Sequence, residues 1–250
     1  MYSLNELCTG YGEKFSLERI TLDIPPGFVL LIGPNGSGKT TLLRVLAGLM
    51  SYSGSVSLNG HEVSRISRKN FARRVSFMMS DKNFRPSYPF TAREIIAMGR
   101  LPYRGIFSRF TPDDEAIIAH SADALNITHL LSRDIMTLSD GERQLVFIAS
   151  LIAQDTHTML LDEPTSSLDP DKSARVFEML RGLAGEGRNV IAAVHDVNIS
   201  GDYYLALREG VLISHGEKLN EHVLHELYDT NFTAYHNTER NDVMWRALSR

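Results

Sequence analysis

The sequence predicts an α/β fold carrying an inserted helical segment, and three observations lead there. An entirely apolar run, FVLLI at 28–32, feeds a glycine-rich turn and then a helix-patterned stretch. Two later runs, TMLL at 158–161 and NVIAAV at 189–194, are equally apolar and end in polar pairs, Asp162-Glu163 and His195-Asp196. Strands covered on both faces read this way in parallel sheets, and such sheets bind ligands beyond their C-terminal strand ends. Third, the stretch 83–137 carries helix-start chemistry without a strand pattern.

Taken in order, residues 17–24 place Ile20, Leu22 and Ile24 at every second position, as a half-buried strand does, and give the N-terminal part an antiparallel strand character. Pro25, Pro26 and Gly27 break that strand ahead of FVLLI. After the glycine-rich turn, Leu42, Leu43, Leu46 and Leu49 form one apolar helix face, and the helix ends near Gly48. Gly54 and the Asn59-Gly60 turn frame a strand, SVSL, and residues 75–79 (VSFMM) form another. Thr91 with Glu94 three residues on fits a capping box, and Thr111-Pro112 fits a cap with proline in the first turn. A helix is predicted over 143–153, and Asp169-Pro170 caps the helix between the two late strands. The division is a single domain, 1–250, with an α/β core of 1–82 and 138–250 and a helical subdomain of 83–137. No internal repeat and no low-complexity tract interrupts it.

Composition narrows the function classes. The chain is 43% hydrophobic and 22% charged, as a folded globular domain is. A net charge of -4 argues against a broad nucleic-acid surface. One cysteine, Cys8, excludes an intrachain disulfide, suits a reducing compartment and reads as a small buried hydrophobe. No apolar run approaches the roughly 20 residues of a membrane span. The N-terminal residues lack the basic-then-apolar layout of a signal peptide. A role at a membrane therefore requires a partner that spans it.

The chemistry is concentrated in three segments. Gly33-Pro34-Asn35-Gly36-Ser37-Gly38-Lys39-Thr40 matches G-x-x-x-x-G-K-[ST] and sits between a strand and a helix. Its glycines let consecutive backbone N–H groups converge on a phosphate at a positive helix end, Lys39 reaches the outer phosphates, and the Thr40 hydroxyl suits Mg²⁺. Asp162 would hold Mg²⁺ and Glu163 would polarise an attacking water; the bland alternative is a solvated turn before Pro164. In Leu138-Ser139-Asp140-Gly141-Glu142-Arg143-Gln144, Ser139 and the Gly141 N–H lie at a helix start and form a second anion site. Ser139 with Glu142 also reads as a capping box, and the two readings are compatible.

The order of P-loop, LSDGERQ, LLDEP, SLD and a strand ending in VHD resembles the ABC ATPase family across essentially the whole chain. The resemblance implies a P-loop ABC cassette that binds ATP and Mg²⁺, hydrolyses ATP, and works as a head-to-tail dimer. In that arrangement Ser139 and Gly141 meet the γ-phosphate held by the opposite subunit. It further implies that Tyr11, 28 residues before Lys39, stacks on adenine, and that Thr41 touches the α-phosphate. Asp169 belongs to a loop that crosses the dimer, and His195 is a switch on the γ-phosphate. One position departs from the pattern. Where the family places a glutamine that touches Mg²⁺ or the attacking water, this sequence has Ser80, followed by Asp81.

Residues 98–105 (MGRLPYRG) are similar to a segment common in importers of iron–siderophore complexes, haem and vitamin B12. The expectation is an importer subunit on the cytoplasmic face of the cell membrane, peripheral, partnered by integral-membrane permease subunits and indirectly by a substrate-binding protein, with no nucleic acid. Pro86, Tyr88, Pro89, Phe90, Tyr103, Ile106, Phe107 and Phe110 suggest a partner surface within 84–110, with the subdomain's own core as the alternative. Arg65, Arg68, Lys69, Arg73 and Arg74 read as a solvated face. The rival function is an ABC ATPase without a permease, such as a metal-cluster assembly scaffold. A DNA-repair relative is disfavoured, because only 100 residues separate Lys39 from Ser139 and they hold no heptads.

Overall fold

The computed structural model describes residues 1–10, 16–79, 88–104, 108–237 and 242–248. The chain opens with β1 (Tyr2–Gly10) and β2 (Ser16–Ile24), an antiparallel pair, and continues through β3 (Phe28–Ile32) into helix α1 (Lys39–Leu46). Next come β4 (Ser53–Leu58), β5 (His61–Glu62), the short helix α2 (Arg68–Ala72) and β6 (Val75–Met78). Helices α3 (Ala92–Met98), α4 (Pro112–Asp123) and α5 (Asp140–Ala153) follow, then β7 (Thr158–Asp162), α6 (Pro170–Gly185) and β8 (Asn189–Ala193). The C-terminal part adds β9 (Tyr203–Arg208), β10 (Val211–Gly216), α7 (Glu221–Tyr228), β11 (Phe232–Asn237) and β12 (Asp242–Ala247).

The central sheet runs in the order β10-β9-β3-β8-β7-β6. Its strands are parallel except for β10, which pairs antiparallel with β9. A separate antiparallel sheet, β2-β1-β4-β5, is built from the N-terminal part. The apolar strands separate two cores by simple alternation. Phe28, Leu30 and Ile32 of β3, Met159 and Leu161 of β7, and Val190 and Ala192 of β8 face the core shared with α3–α7. Val29, Leu31, Leu160, Ile191 and Ala193 face the opposite core, shared with α1 and the antiparallel sheet. All five residues of β3, β7 and β8 are buried, as continuous apolar runs require.

The helical insert begins and ends as its caps dictate. Thr91 and Thr111 each accept from the backbone N–H three residues on, and Glu94 and Asp114 return the bond to the cap backbone. Among the described residues of the insert no strand forms; an isolated bridge joins Thr91 to Asp134. Asp114 also receives Arg100 Nε at 2.9 Å, with Arg104 Nε 3.9 Å away, and Arg100 Nη1 donates to Ala153 O of α5 at 2.9 Å. This buried charge cluster ties the insert to the helix that follows it.

The structure corrects several expectations. Helix α5 starts at Asp140, not Arg143, because the Ser139 cap sits directly before it. Gly54 lies inside β4, at φ 82°, opposite an irregularity in β1 between Asn5 and Cys8, rather than ahead of the strand. The strand expected to reach Met79 stops at Met78. The aromatic segment is not one exposed surface. Phe90 and Phe110 pack on the core, Tyr103 is flanked by Arg73 and Arg100, and Tyr88 is 75% exposed. Arg73 is exposed, as expected of the solvated face, while its Nε donates to Pro102 O at 2.8 Å. Pro86, Ile106 and Phe107 lie outside the described residues.

Candidate active site

The glycine-rich loop occupies the C-terminal end of β3 and hands over to α1 with Gly38 as N-cap, at φ 107°. Gly33 needs to be glycine, because a Cβ there would lie 2.0 Å from Leu207 O and 2.8 Å from Ser37 Oγ. Ser37 N–H donates to Pro34 O at 3.2 Å, and Gly210 N–H donates to Ser37 O at 3.0 Å, which draws the loop tight. Lys39 is buried and donates from Nζ to Gly33 O at 2.7 Å and Pro34 O at 3.0 Å. Burial lowers its pKa from the ordinary lysine value, and the carboxylates of Glu163 and Asp162 push back. The loop bounds a pocket of about 260 Å³ lined by Asn35, Gly36, Ser37, Gly38, Lys39, Thr40, Thr41 and Glu163.

The second half of the pocket comes from the ends of β7 and β8. Asp162 is buried, and its Oδ2 accepts from Thr40 Oγ1 at 2.8 Å, while Oδ1 has no partner among the described residues. Burial raises its pKa above the ordinary 3.8, and the Thr40 hydroxyl opposes that rise. Glu163 follows at φ 51°, an uncommon backbone conformation for a residue with a Cβ. Two contacts impose it: Glu163 N–H donates to Ala193 O at 3.1 Å, and Glu163 O accepts from Gln144 Nε2 at 2.9 Å. The carboxylate turns outward, and its Oε1 lies 2.6 Å from His195 Nε2. Two side-chain contacts, Thr40–Asp162 and Glu163–His195, thus lie at neighbouring strand ends beside the Lys39 loop, joining residues expected from separate motifs.

Ser139, Gly141 and Asp169 do not line this pocket. Ser139 is exposed and engaged in its own capping box, with Glu142 N–H donating to Ser139 Oγ at 3.3 Å. Asp169 caps α6 and accepts from Lys172 N–H at 2.9 Å, which lowers its pKa. Gly141 packs against the loop before Asp169; a Cβ there would lie 2.9 Å from Ser167 O. Gln144 completes that junction. Its Oε1 accepts from Ser167 N–H at 2.9 Å while its Nε2 holds Glu163 O. Sequence reasoning assigned Gln144 no role, although a buried amide on the apolar face of α5 is the signal that marks it. Tyr11, Ser80 and Asp81 lie outside the described residues.

The donor set fits Mg²⁺. Thr40 and Asp162 supply hard oxygens, one of them buried and unpartnered, and Mg²⁺ is ordinarily held by one or two carboxylates plus substrate phosphates. Among the described residues no group of three or more His, Cys, Asp or Glu forms an all-protein metal cage.

Residues 17–166 match the ABC transporter family. The ferric enterobactin transport ATP-binding protein FepC of Escherichia coli (strain K12) is 39% identical over 217 residues, covering 84% of this chain and 79% of the relative. The iron(3+)-hydroxamate import ATP-binding protein FhuC of Bacillus subtilis (strain 168) is 34% identical over 225 residues, covering 87% and 82%. A solved structure of a metal-chelate type ABC transporter in an inward-facing conformation superposes with a TM-score of 0.84 at 26% identity, covering 100% of this chain and 98% of that one. A dimeric ATP-binding cassette in a post-hydrolysis state with ADP and Pi shares the fold, with a TM-score of 0.77 at 22% identity over 88% of this chain and 100% of that one. With its phosphate loop, paired strand-end carboxylates and capped LSDGERQ helix in place, the chain belongs to the ABC transporter family of ATP-binding subunits, as an ATPase cassette.

Proposed function

We propose that this chain is the ATP-hydrolysing motor of an importer for chelated-metal cargo of the iron–siderophore, haem or cobalamin type. One observation carries the motor reading: Lys39, the Thr40–Asp162 contact and the Glu163–His195 contact converge at adjacent strand ends. The cargo class rests on relatives that include, besides those above, the hemin import protein HmuV of Nocardia farcinica, 39% identical over 189 residues, covering 75% of this chain and 64% of the relative.

The residues divide the work. Backbone N–H groups from Asn35 to Thr41, in the loop that Pro34 opens, receive the phosphates, and Lys39 exchanges its two loop carbonyls for the outer phosphate oxygens. Thr40 and Asp162 would hold Mg²⁺, which when bound would offset the charge developed in phosphoryl transfer. Glu163 orients and polarises the attacking water. Its Oε1 lies 2.6 Å from His195 Nε2, and a turn of His195 to the γ-phosphate would free that oxygen. Tyr11 stacks on adenine. Ser80 follows β6, whose Met78 pairs with Leu161, and takes the glutamine's place through a bridging water. Ser139, Gly141 and Asp169 serve the partner subunit's ATP, so two chains head to tail make two complete sites.

Among the described residues no helix is long and apolar enough to cross a membrane. The permease docks instead in a groove of about 300 Å³ between the core and the helical subdomain, lined by Phe77, Met79, Met98, Phe147 and Leu151. Met79 is 42% and Met98 39% exposed, and flexible methionines suit an apolar partner helix. This groove takes in Met98 from the 84–110 segment expected to meet the permease, and docking there would keep the chain on the cytoplasmic face of the membrane. The test is uptake in cells lacking this chain, with labelled ferric siderophore, haem and cobalamin supplied separately. The expected result is restoration of one uptake by the parent, none by Lys39→Ala, and loss of membrane association by Met98→Glu with ATP binding retained. Failure to restore any of the three contradicts the cargo class.

A further inference from the structure

The C-terminal part beyond the catalytic motifs approaches the ATP site from two sides. Helix α7 ends at Tyr228, whose buried hydroxyl has no hydrogen-bond partner among the described residues. Arg208 at the end of β9 fixes the helix end, donating to both Asp229 carboxylate oxygens at 3.0 and 2.6 Å and to Glu226 O. The neighbouring Leu207 O is the atom against which Gly33 is closest packed.

The hairpin of β11 and β12 makes the second contact. Trp245 N–H donates to Asn198 Oδ1 at 2.6 Å, across 47 residues. Asn198 belongs to the loop that begins at His195, and its own N–H donates to Asp196 Oδ1 at 2.9 Å. Val197 and Ile199 of the loop and Phe232 and Trp245 of the hairpin pack on the same core cluster. A hydrogen bond this short, made by a backbone N–H already fixed in a two-stranded ladder, sets where the Asn198 side chain can be.

We propose that the β11–β12 hairpin forms a positioning clamp for the ATPase reaction, with Asn198 holding the His195 loop through Trp245. The proposal rests on the ATPase reading above and adds a residue to it. Freeing Glu163 Oε1 needs His195 to turn, and the hinge of its loop sets that turn. Asn198 supplies that hinge, three residues from His195. Asn198 does not touch the reacting atoms; it acts through residues that do.

The clamp is tested by steady-state MgATP hydrolysis and fluorescent-ATP binding on the purified full chain. Asn198→Ala should lower kcat roughly tenfold, as a displaced catalytic group does, with ATP affinity within about twofold of the parent. Asn198→Asp keeps the acceptor for Trp245 N–H and should restore most of kcat. Unchanged kcat in Asn198→Ala would overturn the clamp. So would a loss of rate, affinity and melting temperature together that Asn198→Asp does not rescue, since that is a folding role. Glu163→Gln run in parallel separates the two levels: its inactivation beside a fully active Asn198→Ala removes the clamp and leaves the ATPase reading standing, and its normal turnover removes the ATPase reading itself.

Discussion

Glu163 is held at φ 51° between Ala193 O and Gln144 Nε2, a backbone conformation that costs about 1–2 kcal/mol for a residue with a Cβ. Strain of this kind persists where surrounding contacts over-determine it, and here it aims a carboxylate at His195. Gln144→Ala removes the clamp on Glu163 O and strands Ser167 N–H, so it should destabilise the chain by about 1–3 kcal/mol in urea titration and slow hydrolysis more than it weakens ATP binding. Asp162 carries the opposite tension. Its pKa is raised by burial, so the stability this site lends the nucleotide-free fold is full below the ordinary 3.8 and is lost as pH rises through the raised value. At neutral pH Asp162→Asn should therefore raise the melting temperature of the nucleotide-free chain, by about 2–4 °C for each kcal/mol relieved, while removing the extra stabilisation that Mg²⁺ adds to ATP. A lowered melting temperature would show that the buried carboxylate is not a penalty. The residues of the site were legible wherever a motif imposes spacing, as at Lys39, Thr40, Asp162 and Glu163. Gln144 was not, because its partner Glu163 lies 19 residues away and no local spacing records that.

At the scale of elements, the helix starts were the most legible features. Thr91, Thr111, Ser139 and Asp169 all cap as their side chains and the residues three positions on require. The start of α5 was misplaced because Asp140, Gly141 and Glu142 carry no apolar face, so the periodicity becomes visible only further on. The late antiparallel strands, α7 and the terminal hairpin were not assigned, since short strands of mixed polarity present no sustained period. The Arg100–Asp114–Arg104 cluster was likewise invisible, because charge pairing across a turn depends on how the turn folds. Burial pushes the Asp114 carboxyl up, but Arg100 and the Thr111 cap outweigh it and hold it below 3.8. A depressed folded pKa means that its stabilisation is present above the ordinary value and fades as pH falls through the lowered one. Asp114→Asn should cost about 3 kcal/mol by leaving two arginines buried without their carboxylate. Hydrogen exchange should show faster opening in α3 and α4 than in β3 and β8, and the variant should lose the parent's extra sensitivity to acid. Uniform opening of both regions would mean that the cluster braces the whole chain rather than the insert.

At the scale of the molecule, the central parallel sheet has one core on each face and collects its polar strand ends at one edge. The α/β class was legible from three fully apolar runs, because burial on both faces removes alternation and leaves an unmistakable composition. The sheet order, with β8 between β3 and β7, was not, since parallel neighbours are joined through long crossovers. The molecule's P-loop pocket is lined without Ser139 and Gly141, the two residues proposed above to serve another copy. The most direct measurement is the oligomeric state of Glu163→Gln with ATP and Mg²⁺ by size-exclusion chromatography, beside its hydrolysis rate. The account predicts a dimer that holds two ATP molecules and turns them over at least about a hundredfold more slowly than the parent, and a Lys39→Ala variant that stays monomeric for want of nucleotide. A Glu163→Gln chain that hydrolyses ATP at the parent's rate, or that binds ATP and remains a monomer, would contradict it.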